Sequence, residues 1–580
     1  MAKSILTRQQ KLFRMESVCP FDANNVSLDE AMAKLFIYLR TGGRKIATTS
    51  KPFYLADDQA VPETLIDIVL GERPQNFQGV TDAQRKELLS AWVGSHFAIM
   101  TKSRKLGEQR ITGMRPLHFA IIKLFNPRVR SQDRYLSDFF YNALKDDPAL
   151  ASNPDSLFKQ FFGVCVRPFG NTDFQVDEAE IANLATSGGI DIELLFLLRL
   201  LEPFEADTFG LKKDERAASF SFLCPEQIAL LRQDLQLLFL YKGKIPRREL
   251  INYMMTLLAF HAALYFFQVV RITNYMVQNG KLPPPRGADP KPGEPRSNAP
   301  FKLDFFCDLT GGHDAKVKEM AERRYTEHFK EVESYFHSAY LMKKLEEFAL
   351  SGYITKDQRE MKGKDYVALL LGLLKHKDLE GFFAKSISDI QANARDDETG
   401  EDDPTIQRII DIGAERKQSK LHTYVDILCH FQHSQLRDQH RKLISSLCGF
   451  EQDRGFLTGV GRGRAKRRYA LGNELLEVLL QLAVLRKRAS DQKWHSREIE
   501  IGEFVHWLQE RYGLLIDKYG DDVPEDEQTN RALATNYEHL KTRLRQLGFF
   551  TALSDASNSQ VIRPRFPIVE EEPVLTAAGL

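Results

Sequence analysis

Arg462, Arg464, Lys466, Arg467 and Arg468 gather cations within one short stretch, and Gly459, Gly461 and Gly463 lie just ahead of and among them. Guanidinium and ammonium groups on a backbone relieved of side chains by glycine suit a chain of phosphates, which attracts any cation that can approach closely. A solvated loop has the same composition, so the string alone does not choose between the two. A second basic set follows, with Lys541, Arg543 and Arg545 in one helical pattern and Arg563 and Arg565 shortly after it.

Other chemistry is less well supported. Cys429, His430, His433, His440 and Cys448 offer thiolates and imidazoles that in principle hold zinc, but their spacing matches no standard finger and one helix would splay them over several faces. Asp411 with Glu415 and Lys417, and Asp191 with Glu193, have the residue types of a metal-dependent nuclease. Both sets fall in helical pattern rather than on strands that would make them converge. No GxxxxGK[ST] loop occurs, and residues 459–463 follow no strand pattern, which argues against nucleotide hydrolysis. There is no GxSxG elbow, and Gly94-Ser95-His96 sits in helical pattern without an evident partner. The stretch from Lys102 through Arg104, Lys105 and Arg110 to Arg115 is a further basic surface, or simply a solvated loop. No catalytic residue, metal ligand or cofactor is nominated, and no enzymatic activity is expected.

The elements that must position these groups are mostly helices. The chain has 580 residues, 43% hydrophobic and 27% charged, enough for several folded cores and too long for one. Lys and Arg (80) balance Asp and Glu (79), so any attraction to nucleic acid has to come from a local patch. Six dispersed cysteines without a CxxC pair, and an N-terminus lacking a secretory apolar region, lead us to expect a cytoplasmic protein. Residues 254–270 are apolar but interrupted by Thr256, His261 and Gln268 and bounded by Arg247, Arg248 and Arg271. That is short for a membrane span and fits a buried core helix, so no membrane contact is expected.

Helical periodicity marks residues 28–40, 82–100, 190–201, 225–241, 316–350, 365–374 and 406–447. The proline-rich stretch 282–300 reads as a linker and the acidic run 395–404 as a solvated loop. The expected organisation is an N-terminal helical region over 1–281, in one domain or two with breaks near 146–148 or 187–189. A central helical region over 301–394, a helical segment over 405–454 and a distinct region over 455–580 complete it.

In that last region a helix over 473–488, a short strand at 497–501, and helices over 503–515 and 529–547 are expected, the last stopped by Gly548. Residues 549–553 and 560–563 read as two strands around a turn-forming 554–559. Helix, strand, helix, helix and hairpin is the order of a winged helix. The fold class expected is mainly α, multidomain, with a C-terminal winged-helix-like α/β domain. In such a domain one helix can enter a DNA major groove while basic loops meet phosphate, with Arg462, Arg464, Lys466, Arg467, Arg468, Lys541, Arg543, Arg545, Arg563 and Arg565 as the contacts. Winged helices also dock proteins, and basic residues late in a helix favour any helix by opposing its dipole.

The string from Arg467 to Glu477, followed by Leu547-Gly548-Phe549-Phe550, Ser554-Asp555-Ala556 and Ile562-Arg563-Pro564-Arg565-Phe566, resembles the end of accessory proteins of bacterial anti-phage systems linked to DNA methylation or phosphorothioation. The resemblance covers roughly the last 130 residues. It implies a non-enzymatic subunit that works beside other subunits of a defence system, separate ATPase, methyltransferase or nuclease proteins, and transfers no site. DNA as a partner is expected from the local basic residues alone. Two other readings stay open. One is a purely protein-binding scaffold, and the other is a nuclease whose carboxylates converge from distant segments. No small-molecule partner is indicated.

Overall fold

The computed structural model describes residues 5–46, parts of 81–160, 211–219, 221–286, 297–395, 403–459, 466–488, 493–520, 526–549 and 561–568. It is mainly helical, and its short strands pair two by two. The chain forms two compact units. The smaller comprises Val26–Ser219 and Asp234–Met255, the larger Met1–Asn25, Phe220–Gln233 and Thr256–Leu580.

In the smaller unit, α1 (Leu28–Thr41) starts at Ser27, whose hydroxyl accepts the Glu30 N–H, and ends at Gly42 in the left-handed region at φ 64°. Next come β1 (Arg44–Ile46), β2 (Ala98–Lys102), β3 (Gln109–Met114), α2 (Leu136–Lys145) and β4 (Leu211–Arg216). β1 pairs antiparallel with β4, and β2 with β3. The helix expected through residue 100 therefore stops short. β-Branched Ile99 and Thr101 favour the extended backbone, and pairing with 109–114 overrides the helical period. α2 is buried along nearly its whole length, so its polar side chains have internal partners. Asp138 accepts the Ala218 N–H at 2.6 Å, and Asn142 donates to the Ala218 carbonyl at 2.6 Å. The helix expected over 190–201 and the breaks near 146–148 and 187–189 lie outside the described residues.

Two helices contribute to both units: α3 (Pro225–Phe239) and α4 (Arg247–Asn279). An 18-residue window of α4 has mean hydropathy 1.5 and is entirely buried within the protein, as a core helix is. Its polar interruptions are satisfied. His261 lies 3.2 Å from the Gln227 amide, Gln268 exchanges two hydrogen bonds with the Phe301 backbone, and Thr256 bonds Glu474.

The larger unit continues with β5 (Phe305–Phe306) and α5 (Ala315–Phe348), which starts at Asp314, whose carboxylate accepts the Lys316 and Val317 N–H groups at 2.9 Å. α6 (Lys356–Glu360), α7 (Gly363–Gly372), α8 (Leu379–Ala394), α9 (Pro404–Glu415) and α10 (Lys420–Leu447) follow. α5 and α10 pack along a buried aromatic seam in which the His440 ring lies 4.6 Å from Phe336 and 5.3 Å from Phe13. Residues 287–296 of the proline-rich stretch and 396–402 of the acidic run lie outside the described residues. At the former's far end Ala299 is buried and the Ser297 N–H donates to the Glu510 carbonyl.

From Leu457 the elements shorten: β6 (Leu457–Gly459), β7 (Arg467–Tyr469), α11 (Asn473–Ala483), β8 (Leu485–Lys487), β9 (Trp494–Ser496), β10 (Ile499–Glu500), α12 (Ile501–Tyr512), β11 (Leu514–Leu515), α13 (Glu527–Gln546) and β12 (Val561–Ile562). The helix expected over 473–488 ends at Ala483, because the chain turns into an antiparallel hairpin of β8 and β9. β10 pairs antiparallel with β12, and β11 runs parallel to β5 across more than two hundred residues of sequence. Gly548 has φ 78° and closes α13 as expected. Phe306, Val317, Met320 and Ala321 share one cluster with Leu515, Tyr519 and Ala532, so α13 packs on the start of α5. Asn536, fully buried, donates to the Cys307 and Ile516 carbonyls at 2.9 Å and accepts the Leu309 N–H at 2.8 Å. One amide thus joins β5, β11 and α13.

Candidate functional site

The basic residues singled out in the C-terminal region separate into two groups. Arg462 and Arg464 fall between β6 and β7 in sequence and lie outside the described residues, as do residues 550–560 of the expected hairpin. Lys466 projects outward with 82% of its side chain exposed, 3.6 Å from Glu322. Arg545 is exposed, and Arg563, 60% exposed, pairs with Glu498 at 3.3 Å.

The other group is built into the fold. Arg467 donates to the Arg441 carbonyl at 3.1 Å and lies 4.9 Å over the Phe450 ring. Arg468 is buried, with Nε 2.7 Å from Asp308 Oδ2; Asp308 Oδ1 accepts the backbone N–H and hydroxyl of Thr310. Its guanidinium reaches so close to Gly312, φ 86°, that a Cβ there would meet Nη2 at 2.9 Å. Lys541 pairs with Glu538 at 2.6 Å and covers the Tyr537 ring, while Arg543 donates to Asn473 at 2.5 Å, burial pulling its pKa down. Arg565 pairs with Glu477, donates to the Leu547 carbonyl at 2.6 Å and lies 4.8 Å over Phe549.

A charge node that the sequence did not reveal lies beneath this region. Arg271 of α4 holds Asp304 at 2.7 Å and Glu331 at 2.9 Å, and Arg324 of α5 holds the other Asp304 oxygen at 2.8 Å. His328 joins them, with Nε2 3.1 Å from Asp304 and Nδ1 2.9 Å from the Tyr469 hydroxyl. Burial drives the His328 pKa down, so the neutral ring donates to Asp304 from Nε2 and accepts from Tyr469 at Nδ1. Burial opposes ionisation of Asp304, but its bonds from His328 and Arg271 prevail and keep the carboxyl well below the usual carboxylate range. The His–Asp pair resembles a proton-transfer dyad in residue type only. Both ring nitrogens are engaged and the side chain is 2% exposed, which leaves no nitrogen for a substrate.

Beside the node is a cavity of about 400 Å³ lined by Lys302, Asp304, Arg324, Glu327, Lys518 and Tyr519 among others. Its charges largely cancel internally, Lys302 pairing with Glu510 at 3.4 Å and Arg324 with Glu327 at 3.3 Å.

The remaining candidates do not assemble. Asp411 accepts from Gln407 at 2.8 Å on α9, and Asp191 with Glu193 lies outside the described residues. His440 and Cys448 are buried at separate places on and after α10, and among the described residues no group of three or more His, Cys, Asp or Glu could hold a metal ion. Two features escaped the sequence reading. The node did, because Arg271 read only as the boundary of an apolar stretch and Asp304, Arg324 and His328 are far from it in sequence. The β8–β9 hairpin did, because its leucine run continues the helical period; Trp494-His495-Ser496 was its available signal.

A model of the family described as methylation-associated defense system protein MAD7 matches residues 8–566. No curated protein and no solved structure matches the chain. The resemblance expected of the C-terminal end alone thus extends over most of the chain.

Proposed function

The chain belongs to the family of methylation-associated defense system protein MAD7, and from that premise we propose that it is a non-enzymatic cytoplasmic subunit of a DNA-directed defence system. Its C-terminal region is a winged helix that contacts DNA, while the helical body meets other subunits. The supporting observation is that α11, β10, α12, α13 and β12 follow one another, with the β8–β9 hairpin inserted before β10 and β11 before α13, and that β10 and β12 pair antiparallel. The Arg563 N–H also reaches the Phe549 carbonyl at 3.0 Å, which brings the chain after α13 back alongside β12. In this reading α13 corresponds to the helix that approaches the major groove. Lys466, Arg545 and Arg563, each of them exposed, supply phosphate contacts.

The test is fluorescence anisotropy of the full-length protein with labelled duplex across a salt series, for the parent and for a Lys466→Glu, Arg545→Glu, Arg563→Glu variant. Affinity falls with a slope of about −0.9 in log K against log salt per phosphate neutralised. The variant binds at least tenfold more weakly, with a shallower slope and an unchanged melting temperature. Equal binding by parent and variant overturns the interface.

A further inference from the structure

We propose that the β8–β9 hairpin is a nucleic-acid-binding element in which Trp494 stacks on an unpaired base while Lys487 meets the adjoining phosphate. This rests on the DNA reading above and deepens it, naming an unpaired or extruded base as what this part of the region takes.

Lys487 and Trp494 are Cα partners across the antiparallel hairpin, which puts their side chains side by side on one face. Both are exposed, Trp494 at 36%. An indole held at the surface next to an ammonium group offers a flat π-face with a cation beside it. That is how proteins hold single strands without reading their sequence: one side chain takes the base and its neighbour the backbone.

The hairpin is held rigidly at its base and presents this face from there. Arg486 and Arg497 both bind Glu503 of α12, at 2.5 Å and 2.9 Å, and the Arg497 N–H donates to the Val484 carbonyl at 2.8 Å. Ile568 closes the other edge of β9, accepting from the Ser496 N–H at 3.2 Å and donating to the Ser496 hydroxyl at 3.0 Å. Ordering costs little when the aromatic group already sits on a fixed scaffold.

Charge selects the occupant. Over residues 485–497 five Lys or Arg stand against one Asp, and Glu503 offsets only part of that excess. Among the described residues Trp494 is the hairpin's one large exposed hydrophobic side chain, with Lys487 and Lys493 around it. Protein-docking patches are poor in lysine at their centres, whereas a polyanion with an exposed ring fits this pattern.

The experiment measures anisotropy of the full-length chain with fluorescein-labelled oligothymidylate and with a duplex of matched length, for the parent, Trp494→Ala, Trp494→Tyr and Lys487→Glu. Trp494→Ala should weaken single-strand binding about 5- to 100-fold. Trp494→Tyr should largely restore it, Lys487→Glu should weaken it with a shallower salt slope, and duplex affinity should hold in Trp494→Ala. If the parent binds either DNA and Trp494→Ala binds oligothymidylate equally well, the hairpin inference is overturned and the DNA reading survives. A parent that binds neither DNA at low salt overturns both. Single-strand loss in Trp494→Ala, together with duplex binding indifferent to Lys466, Arg545 and Arg563, supports the hairpin and removes the interface proposed above.

Discussion

Arg468 and Asp308 form an ion pair closed inside the larger unit, Nε to Oδ2 at 2.7 Å, with 6% and 0% of their side chains exposed. An arginine in a basic string invites an electrostatic role toward a partner, yet this one is committed within the protein. Arg468 Nη1 is buried without a hydrogen-bond partner in the fold, so the pair's guanidinium is only partly satisfied.

Arg468→Met leaves the Asp308 carboxylate buried without a counter-charge, held only by its bonds from Thr310, which should cost about 3–5 kcal/mol of stability. The double variant Arg468→Met, Asp308→Asn should recover a substantial part of that loss. Urea midpoints for the parent, the single and the double variants check this; a single variant within 1 kcal/mol of the parent would contradict the closed pair.

Asn536→Leu keeps the volume but strips two donors and an acceptor from three buried backbone groups. Each unsatisfied group costs about 1–3 kcal/mol, so the variant should fall by at least about 3 kcal/mol. Hydrogen exchange should rise at Leu309, whose N–H loses its acceptor. Arg531→Ala, on the same helix with 79% of its side chain exposed, serves as the control and should change stability by less than about 1 kcal/mol.

The His440 ring, buried among Phe13, Phe266, Tyr335 and Phe336, has its pKa pushed down to about 4 by that burial. An unfolded histidine titrates near 6.5, so between those values the unfolded chain binds a proton that the folded chain does not. The His440 contribution is therefore complete above pH 6.5 and is lost as pH falls toward 4, amounting to about 3 kcal/mol at the end of that range. His440→Phe should flatten this part of the stability profile, read as urea midpoints from pH 7 to 4.5. An unaltered slope would assign the acid sensitivity to other groups.

Two left-handed glycines should respond differently to alanine. At Gly513, φ 73°, a Cβ would lie 1.9 Å from the Leu303 carbonyl oxygen; at Gly548, φ 78°, it would meet nothing within 4 Å. Gly548→Ala should cost only the backbone penalty, about 1 kcal/mol, and Gly513→Ala several times that, because the β5 approach has to open. Thermal melts of both variants make the comparison.

The long helices were legible because their apolar residues keep the helical period over many turns. α5 spans Ala315–Phe348 against an expected 316–350, and α4 is the core helix that its buried polar interruptions implied. What the sequence concealed depends on distance along the chain. β5 and β11 are two residues each, too short to show alternation, and exist because Phe305 and Phe306 find Leu514 and Leu515. The 473–488 leucines suit a helix throughout, but only tertiary pairing with Trp494-His495-Ser496 turns the last of them into a strand. Of the candidate interface, the cations were visible; which point outward was not, since Arg468, Arg543 and Arg565 find acceptors far from them in sequence.

The larger unit draws on three separate stretches of chain, and its contacts join the first residues to the last helices. The Gln9 carbonyl accepts from Lys344, Phe13 meets His440, and β5 waits for β11. A ribosome releases these pieces in order, so residues 26–219 and 234–255 are all available well before Leu514 has been made. During synthesis the smaller unit can close early, while α4 carries an uncovered apolar face until Phe456 and Tyr512, whose rings pack on its Phe260, have been made. Chaperone dependence and loss to aggregation should therefore track translation speed through the second half of the message.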